Sequence, residues 1–138
     1  MMGADRVVNP TTEDLDTIVK TESDGRGADV IIVAAPVHSA QEDALLLAAI
    51  SGRINYFGGL PKDNSKISFD SNIVHYKELI ITATTACSTD NCWQAARIIN
   101  SGLVDLHELI SMRFPLTEAK QAFEEASGKK SLKIVIEP

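Results

Sequence analysis

Two short apolar runs, separated by a helical pattern, dominate the arrangement of hydrophobic and polar positions along the chain. The runs lie within Gly27–Pro36 and Gly52–Pro61, are rich in β-branched residues and stop at small residues. Because strands of a parallel sheet are buried on both faces, they show continuous apolar sequence rather than alternation. The pattern therefore predicts a strand–helix–strand unit of an α/β sheet, with Val30–Ala34 and Ile54–Phe57 as buried strands.

Similar signals predict the remaining strands and helices. Further strands or extended segments are expected at Arg6–Val8, Ile67–Phe69, Leu79–Thr84, Met112–Pro115 and Leu132–Ile136. Cap residues and apolar spacing predict five helices. The first follows Thr11 or Thr12 and is ended by Gly25 and Gly27, and the second covers Ala40–Ile50, with Ser39 and Glu42 as a capping box and Gly52 at its end. The others cover Ser71–Tyr76, Trp93–Asn100 (capped by Thr89 or Asp90 and ended by Gly102) and Glu118–Ala126 (capped by Thr117). Trp93 and Phe123 are predicted to be core or interface anchors.

Composition limits the classes of partner. The 138 residues suit one domain, 44% of them are hydrophobic, and the formal net charge is −6. A nucleic acid or an anionic membrane would call for a basic patch, so neither is expected as a partner. Since no signal-peptide pattern and no apolar run long enough to span a bilayer occurs, the expected location is the cytoplasm.

Residues typical of metal or nucleophilic chemistry are sparse. Cys87 and Cys92 are separated by four residues rather than two, which favours two free thiols over a zinc or redox motif. The three histidines, His38, His75 and His107, are scattered. No Ser/His/Asp grouping and no carboxylate pair stands out, so we assign no catalytic residue and no metal site.

Small residues follow the two central strands. Parallel sheets bind ligands beyond the carboxyl ends of their strands, where Ala34, Ala35, Gly58 and Gly59 are predicted to lie. Such residues let a flat ligand approach the backbone. A plain strand-to-loop turn is the simpler explanation of the two glycines, and tight helix–strand packing explains Ala34–Pro36 equally well.

Five segments, in this order and spacing, resemble the medium-chain dehydrogenase/reductase family. The resemblance is strongest to its zinc-dependent alcohol, polyol and threonine dehydrogenase branch. It is carried by Gly3-Ala-Asp-Arg-Val-Val-Asn-Pro, Gly27-Ala-Asp-Val, Gly52-Arg-Ile with Phe57-Gly-Gly, Lys77-Glu-Leu-Ile-Ile, and Phe114-Pro-Leu-Thr-Glu-Ala-Lys-Gln-Ala-Phe.

The resemblance implies part of a Rossmann domain. Residues 1–102 would form a doubly wound, mostly parallel sheet in three α/β/α layers, lacking its first two strands. Residues 103–138 would be a C-terminal return segment with one helix and a final strand. No Gly-x-Gly-x-x-Gly motif occurs in the sequence. We therefore expect an N-terminal portion elsewhere, carrying this motif and the zinc ligands of the parent enzyme.

The resemblance also implies which residues contact NAD or NADP. Ala34 and Ala35 would line the adenosine and nicotinamide-ribose side. Phe57, Gly58 and Gly59 would pass along the nicotinamide, and Thr84 and Thr85 would contact the carboxamide. Lys133 would approach the pyrophosphate, although a solvated surface lysine is the simpler explanation. The predicted cofactor-binding residues are therefore Ala34, Ala35, Phe57, Gly58, Gly59, Thr84, Thr85 and Lys133.

Loss of two central strands would leave open sheet edges. We expect Arg6–Val8 to move beside Val30–Ala34, or another molecule to cover that edge. The opposite edge, Leu79–Thr84, is expected to form a homo-oligomer. The leading hypothesis is a fragment of an NAD(P)-dependent, zinc-type dehydrogenase of secondary alcohols, inactive alone and binding the cofactor weakly or not at all. The alternatives are a non-catalytic oligomerisation or weak nucleotide-binding module, and an unrelated small α/β binding domain.

Overall fold

The computed structural model describes residues 3–128 and 130–138. The chain divides into two compact units, which meet between Thr85 and Ala86. This division falls earlier than the domain boundary expected at Gly102. The assignment of 1–102 and 103–138 to separate domains stays a prediction. Positions 1, 2 and 129 of those ranges lie outside the described residues. Within the described ranges, no helix combines the length and apolar composition needed to traverse a bilayer.

The first unit is a three-stranded parallel sheet with helices. Its elements are α1 Leu15–Glu22, β1 Ala28–Val33, α2 His38–Leu47, β2 Ala48–Tyr56, α3 Ser71–Tyr76 and β3 Ile80–Ala83. The strands lie in the order β1–β2–β3, and both pairs are parallel. The predicted α/β class, with three adjacent strands running in one direction, is confirmed.

One face of this sheet forms the core. Alternate side chains of β1, β2 and β3 point toward α2 and α3, and Ile54 is fully buried at its centre. The buried cluster consists of Val33, Ala44, Leu45, Ala48, Ile54 and Leu79. Burial of a branched side chain of this size contributes about 1.5–3 kcal/mol, so this cluster is the main source of stability in the unit.

The opposite face is open, which corrects one expectation. Val30 is 62% exposed and Ile32 is 66% exposed, so the strand predicted as buried on both faces is buried on one. The reason is that α2 packs on the core face, against β1 and β2. No helix described in this unit shields Val30 and Ile32.

Two predicted strands are absent from the described chain. Arg6–Val8 is irregular, and Arg6 instead pairs with Glu22 of α1 at 2.7 Å. The expectation that this segment moves beside β1 is therefore wrong, and β1 remains an edge strand. Ile67–Phe69 is also irregular. The backbone of this segment is held by the Glu42 side chain, which accepts a hydrogen bond from the Ser68 N–H at 2.7 Å.

Helix starts differ from prediction because other side chains supply the caps. Asp14 caps α1 by accepting from the backbone N–H groups of Asp16 and Thr17. Thr11 and Thr12, the predicted caps, belong to a separate turn around Asn9. The N-cap of α2 is Val37, which makes no side-chain capping bond, so the predicted Ser39–Glu42 capping box is wrong.

The boundary between α2 and β2 also lies earlier than predicted. The helix ends at Leu47 rather than Ile50, and β2 begins at once with Ala48. Lys77 stabilises this end, because its ammonium group donates to the carbonyl groups of Leu45, Leu46 and Ala48 at 2.7–3.3 Å. The same burial against the helix end lowers the pKa of Lys77.

Gly27 permits the close packing at this junction. It has φ +91°, and a Cβ there would lie 2.8 Å from the carbonyl oxygen of Leu47. Only glycine satisfies both conditions without moving the backbone.

The second unit has its own two-stranded sheet. Its elements are α4 Thr89–Asn100, β4 Ile110–Pro115, α5 Ala119–Ser127 and β5 Lys133–Glu137, with short 3₁₀ turns at His107–Leu109 and Leu116–Glu118. Strands β4 and β5 are parallel, with α5 packed against both. The N-caps are Ser88 for α4 and Glu118 for α5 rather than the predicted Thr89, Asp90 or Thr117.

Burial in this second unit is limited. Phe114 and Ala122 are its buried apolar residues among those described. Trp93 is 64% exposed and Phe123 is 69% exposed, so the prediction that they anchor a core is wrong, while the alternative, that they anchor an interface, stays a prediction.

Candidate functional site

The three strands of the first unit end level with one another. Val33 pairs with Tyr56, and Tyr56 pairs with Ala83, so the last residues of β1, β2 and β3 are neighbours across the sheet. The segments that follow them therefore start at one edge, which we call the carboxyl edge. It contains seven of the residues predicted for the cofactor: Ala34, Ala35, Phe57, Gly58, Gly59, Thr84 and Thr85. Their role in binding stays a prediction.

Backbone hydrogen bonds extend the ladder past the strand ends. The N–H groups of Phe57 and Gly58 both donate to the Val33 carbonyl group, at 3.1 and 2.8 Å. The Thr84 N–H donates to the Tyr56 carbonyl group at 3.2 Å. The carboxyl edge is thus held by main-chain contacts, which do not depend on the identity of the exposed side chains.

Gly58 and Gly59 differ in their surroundings. A Cβ on Gly58 would lie 2.9 Å from the carbonyl carbon of Ala34 and 3.0 Å from that of Ala35. The contact between these two loops is sufficient to explain Gly58 and the small residues beside it. A Cβ on Gly59 would meet nothing within 4 Å. Gly59 therefore leaves a stretch of exposed backbone that a ligand can approach.

Gln41 fixes the position of the Gly58 loop. Its side-chain amide, in a residue only 6% exposed, donates to the Gly58 carbonyl group at 3.0 Å. The backbone carbonyl group of Gln41 accepts from the Tyr56 hydroxyl at 3.2 Å, and burial raises the pKa of Tyr56. Sequence reasoning missed Gln41. In the sequence it stands beside Glu42 and Asp43 in the first turns of a helix, where a polar residue predicts exposure rather than burial.

A polar row crosses the open face next to the carboxyl edge. The Asn55 side-chain amide donates to the Thr82 hydroxyl at 3.1 Å, and the Thr84 hydroxyl donates to the Asn55 side-chain oxygen Oδ1 at 3.1 Å. This row orders the Thr84 side chain at the end of β3. Asn55 was also missed, although its signal was a polar residue inside an apolar strand.

The loop after the edge is tied to the start of α2. The imidazole Nε2 of His38 lies 2.9 Å from the Asn64 carbonyl oxygen. Together with the bond between Glu42 and Ser68, this contact fixes residues 58–70 above the helix start. The loop is therefore a positioned part of the edge.

Two other places, one in each compact unit, carry charged residues. Lys133 begins β5 beside Ile110, in a different compact unit from the other seven predicted residues. A groove of about 520 Å³ lies between α1 and α2 and includes Glu13, Asp14 and Asp43. It adjoins Leu46 and Leu47, at the opposite end of α2 from Gln41, and its carboxylates would repel a phosphate-bearing ligand. The carboxyl edge is the better candidate.

Comparisons with known proteins agree with this architecture. Residues 1–101 match the family model described as zinc-binding dehydrogenase, so the chain belongs to that family. It corresponds to the C-terminal part of the zinc-type medium-chain dehydrogenases.

Individual relatives show how much of such an enzyme is represented. The chain is 33% identical to the L-threonine 3-dehydrogenase of Caldanaerobacter subterraneus subsp. tengcongensis, covering 99% of this chain and 40% of that protein. It is 34% identical to the erythritol/L-threitol dehydrogenase of Mycolicibacterium smegmatis, over 99% and 37%. A zinc-binding dehydrogenase of Sinorhizobium meliloti 1021, solved bound to NADP, superposes with a TM-score of 0.85 at 23% identity, over 99% and 40%. The chain thus spans about 40% of the length of its relatives.

The zinc implied by the family does not fit the described residues. Among positions 3–128 and 130–138, no group of three or more His, Cys, Asp or Glu side chains is arranged to hold a metal ion. Zinc sites need three or four such ligands. We therefore derive no step of the chemistry through a metal bound to this chain.

Proposed function

We propose that this chain forms part of the NAD(P)-binding domain of a cytoplasmic, zinc-type alcohol or polyol dehydrogenase. The parent enzyme would transfer a hydride between a secondary alcohol and the nicotinamide ring. The observation that carries the proposal is the level carboxyl edge, where three parallel strands end together and Gly59 exposes its backbone. Membership of the dehydrogenase family supports the same function.

The residues of the edge would share the binding of the dinucleotide. Ala34 and Ala35 leave room beside the ribose because their side chains are small. The backbone at Phe57 and Gly59 would contact the face of the nicotinamide. Thr84 would present its backbone to the carboxamide, with its hydroxyl already oriented by Asn55. Lys133 is proposed to approach the pyrophosphate from the return segment.

The chain alone is expected to bind the cofactor weakly. The pyrophosphate of a dinucleotide is normally held by a glycine-rich turn at a helix N-terminus, and the 138 residues contain no such motif. Titration calorimetry with NADH and NADPH should show no binding in the low micromolar range. Tight binding would overturn this expectation.

Mapping of weak contacts tests the site itself. Millimolar nicotinamide mononucleotide, added to isotopically labelled protein, should shift the amide signals of Ala35, Gly59 and Thr84. A Gly59→Val variant should lose these shifts, because its side chain would occupy the open space above the backbone. The control is Ala4→Leu, which adds the same three carbon atoms at an exposed, irregular position. Shifts confined to the groove between α1 and α2 would contradict the proposal.

The free edge of β3 favours a second role, in oligomerisation. Strand β3 is an outer strand, so one side of its backbone is unpaired within the sheet. Exposed strand edges of this kind promote pairing with another chain. We propose that two copies join along Leu79–Thr84, with or without a bound nucleotide. Size-exclusion chromatography with light scattering tests this, and a single monomeric peak at high micromolar concentration would refute it.

A further inference from the structure

The two cysteines of the chain lie against each other. The Sγ atoms of Cys87 and Cys92 are 3.4 Å apart, and both residues are exposed. Cys87 immediately precedes the N-cap of α4, and Cys92 is the fourth residue of the helix. Side chains at these two positions commonly meet at the start of a helix. The contact therefore follows from the local structure of one segment.

A capping box holds this segment in place. Ser88 accepts a hydrogen bond from the Asn91 N–H at 3.2 Å, and the Asn91 side chain accepts one from the Ser88 N–H at 3.0 Å. Just before the pair, Ala86 has φ +55°, in the left-handed region, and this turns the chain toward the helix. The two thiols are thus positioned by the turn at Ala86 and by the capping box that follows it.

The arrangement suits thiol chemistry better than metal binding. No third ligand accompanies the pair, since no metal-competent group of three exists among the residues that the structure describes. Disulfide formation, in contrast, requires only two thiols that approach closely and reach an oxidant.

We propose that Cys87 and Cys92 form a redox-sensitive modification site that closes to an intramolecular disulfide on reaction with a hydroperoxide. In the first step a thiolate sulfur attacks the peroxide oxygen, the O–O bond breaks, and a sulfenic acid forms with release of water or an alcohol. In the second step the other sulfur attacks the sulfenic sulfur, the S–O bond breaks and water leaves. Two thiols lose two electrons and two protons in total, and the peroxide is reduced.

The two thiols share a hydrogen bond, and the bond with Cys87 raises the pKa of Cys92. Either sulfur can make the first attack, and the other then resolves the sulfenic acid. A small dithiol reductant would reverse the closure by exchange.

The experiment is direct because the chain contains only these two cysteines. Reduced protein is treated with one equivalent of hydrogen peroxide and analysed by thiol titration, non-reducing electrophoresis and intact mass. We expect both thiols to disappear together, the protein to run as a monomer, and its mass to fall by two hydrogen atoms. Dithiothreitol should restore both thiols.

Variants distinguish the proposed closure from ordinary surface oxidation. Cys87→Ser and Cys92→Ser should each leave one thiol that gains oxygen or forms intermolecular disulfides. Ser88→Ala breaks the capping box and should slow closure about fivefold, since cap residues stabilise a helix start by that order. Thr89→Ala, between the two capping residues but outside their hydrogen bonds, should close at the wild-type rate.

Two results would overturn the proposal. The first is oxygen gain by the wild-type protein at the rate of the single variants, with no loss of hydrogen. The second is a wild-type disulfide found only between chains. Circular dichroism of each variant confirms that α4 is intact, so that a slow reaction is not attributed to unfolding.

Discussion

The two faces of the three-stranded sheet carry similar apolar residues, but those on one face are buried and those on the other are exposed. On the core face, Ile54 is fully buried, whereas on the open face Ile32, on the neighbouring strand, is 66% exposed. Both are β-branched and lie in parallel strands, so the strands themselves do not distinguish the two faces. The difference lies in α2 and α3, which cover one side only. An apolar run in the sequence therefore predicts a strand, but which faces of the strand are buried depends on elements elsewhere in the chain.

Truncation of one isoleucine on each face tests this contrast most strongly. We expect Ile54→Ala to lower the free energy of unfolding by about 2–5 kcal/mol, because it leaves a cavity among packed residues. Ile32→Ala makes the same chemical change in a strand and should cost about 1 kcal/mol or less. Urea unfolding followed by circular dichroism measures both. Equal losses would mean that the open face is covered in solution, by a second copy or another molecule.

A glycine pair refines the comparison at the end of the covered face. Gly58→Ala should lower the free energy of unfolding by about 1–3 kcal/mol, since its Cβ would press on the backbone of Ala34 and Ala35. Gly59→Ala adds the same methyl group in open space and should change it by less than about 0.5 kcal/mol. Thermal unfolding of the two variants separates these effects. A larger loss at Gly59 would show that the loop packs differently.

Lys77, which follows α3 and reaches the end of α2 with its side chain, gives a smaller effect. Lys77→Met keeps the apolar stem but removes the donor to three carbonyl groups, and we expect a loss of about 1–2 kcal/mol. Lys62→Met, at an exposed loop position, should have no measurable effect. Hydrogen exchange should show the loss as faster opening of the last turn of α2. Unchanged exchange there would argue against the capping role.

The weakest expected effect lies farthest from the core, at the start of α1. Hydrogen bonds from the Thr17 hydroxyl and N–H hold the pKa of Asp14 below its ordinary value of 3.8. A carboxyl group with a lowered pKa stabilises the fold above its unfolded pKa, and this contribution is lost as pH falls through the folded value. Helix α1 should therefore fray in acid, below about pH 4. Asp14→Asn should lose that particular pH dependence, as amide chemical shifts along a pH titration would show.

The sequence anticipated the strands better than the junctions. Helix Ser71–Tyr76 and the parallel neighbours β1, β2 and β3 match the structure because their signals are local runs of β-branched or capping residues. The end of α2 was misplaced because Ala48 and Ala49 suit a helix as well as a strand. There the deciding contact is Lys77, about thirty residues away, whose ammonium group holds the helix end.

The candidate site shows the same division. The small residues at the carboxyl edge were predicted, because their positions follow from where the strands stop. Gln41 and Asn55 were not, since each acts through a partner distant in sequence, Gly58 and Thr82 respectively. Local sequence patterns thus predict where the backbone at the carboxyl edge is exposed, whereas the side chains that hold this backbone in place are identified only from the packed structure.

The level strand ends have a consequence for insertions and deletions. Because successive side chains of a strand alternate between faces, removing one residue of β2 before Arg53 would exchange the faces toward which the rest of the strand points. Arg53 would then turn into the hydrocarbon interior, and Tyr56 would no longer stand level with Val33 and Ala83. Length variation in this molecule is therefore expected to concentrate in the loop 59–66. An added residue there changes neither the face to which a strand's side chains point nor the level at which the three strands end.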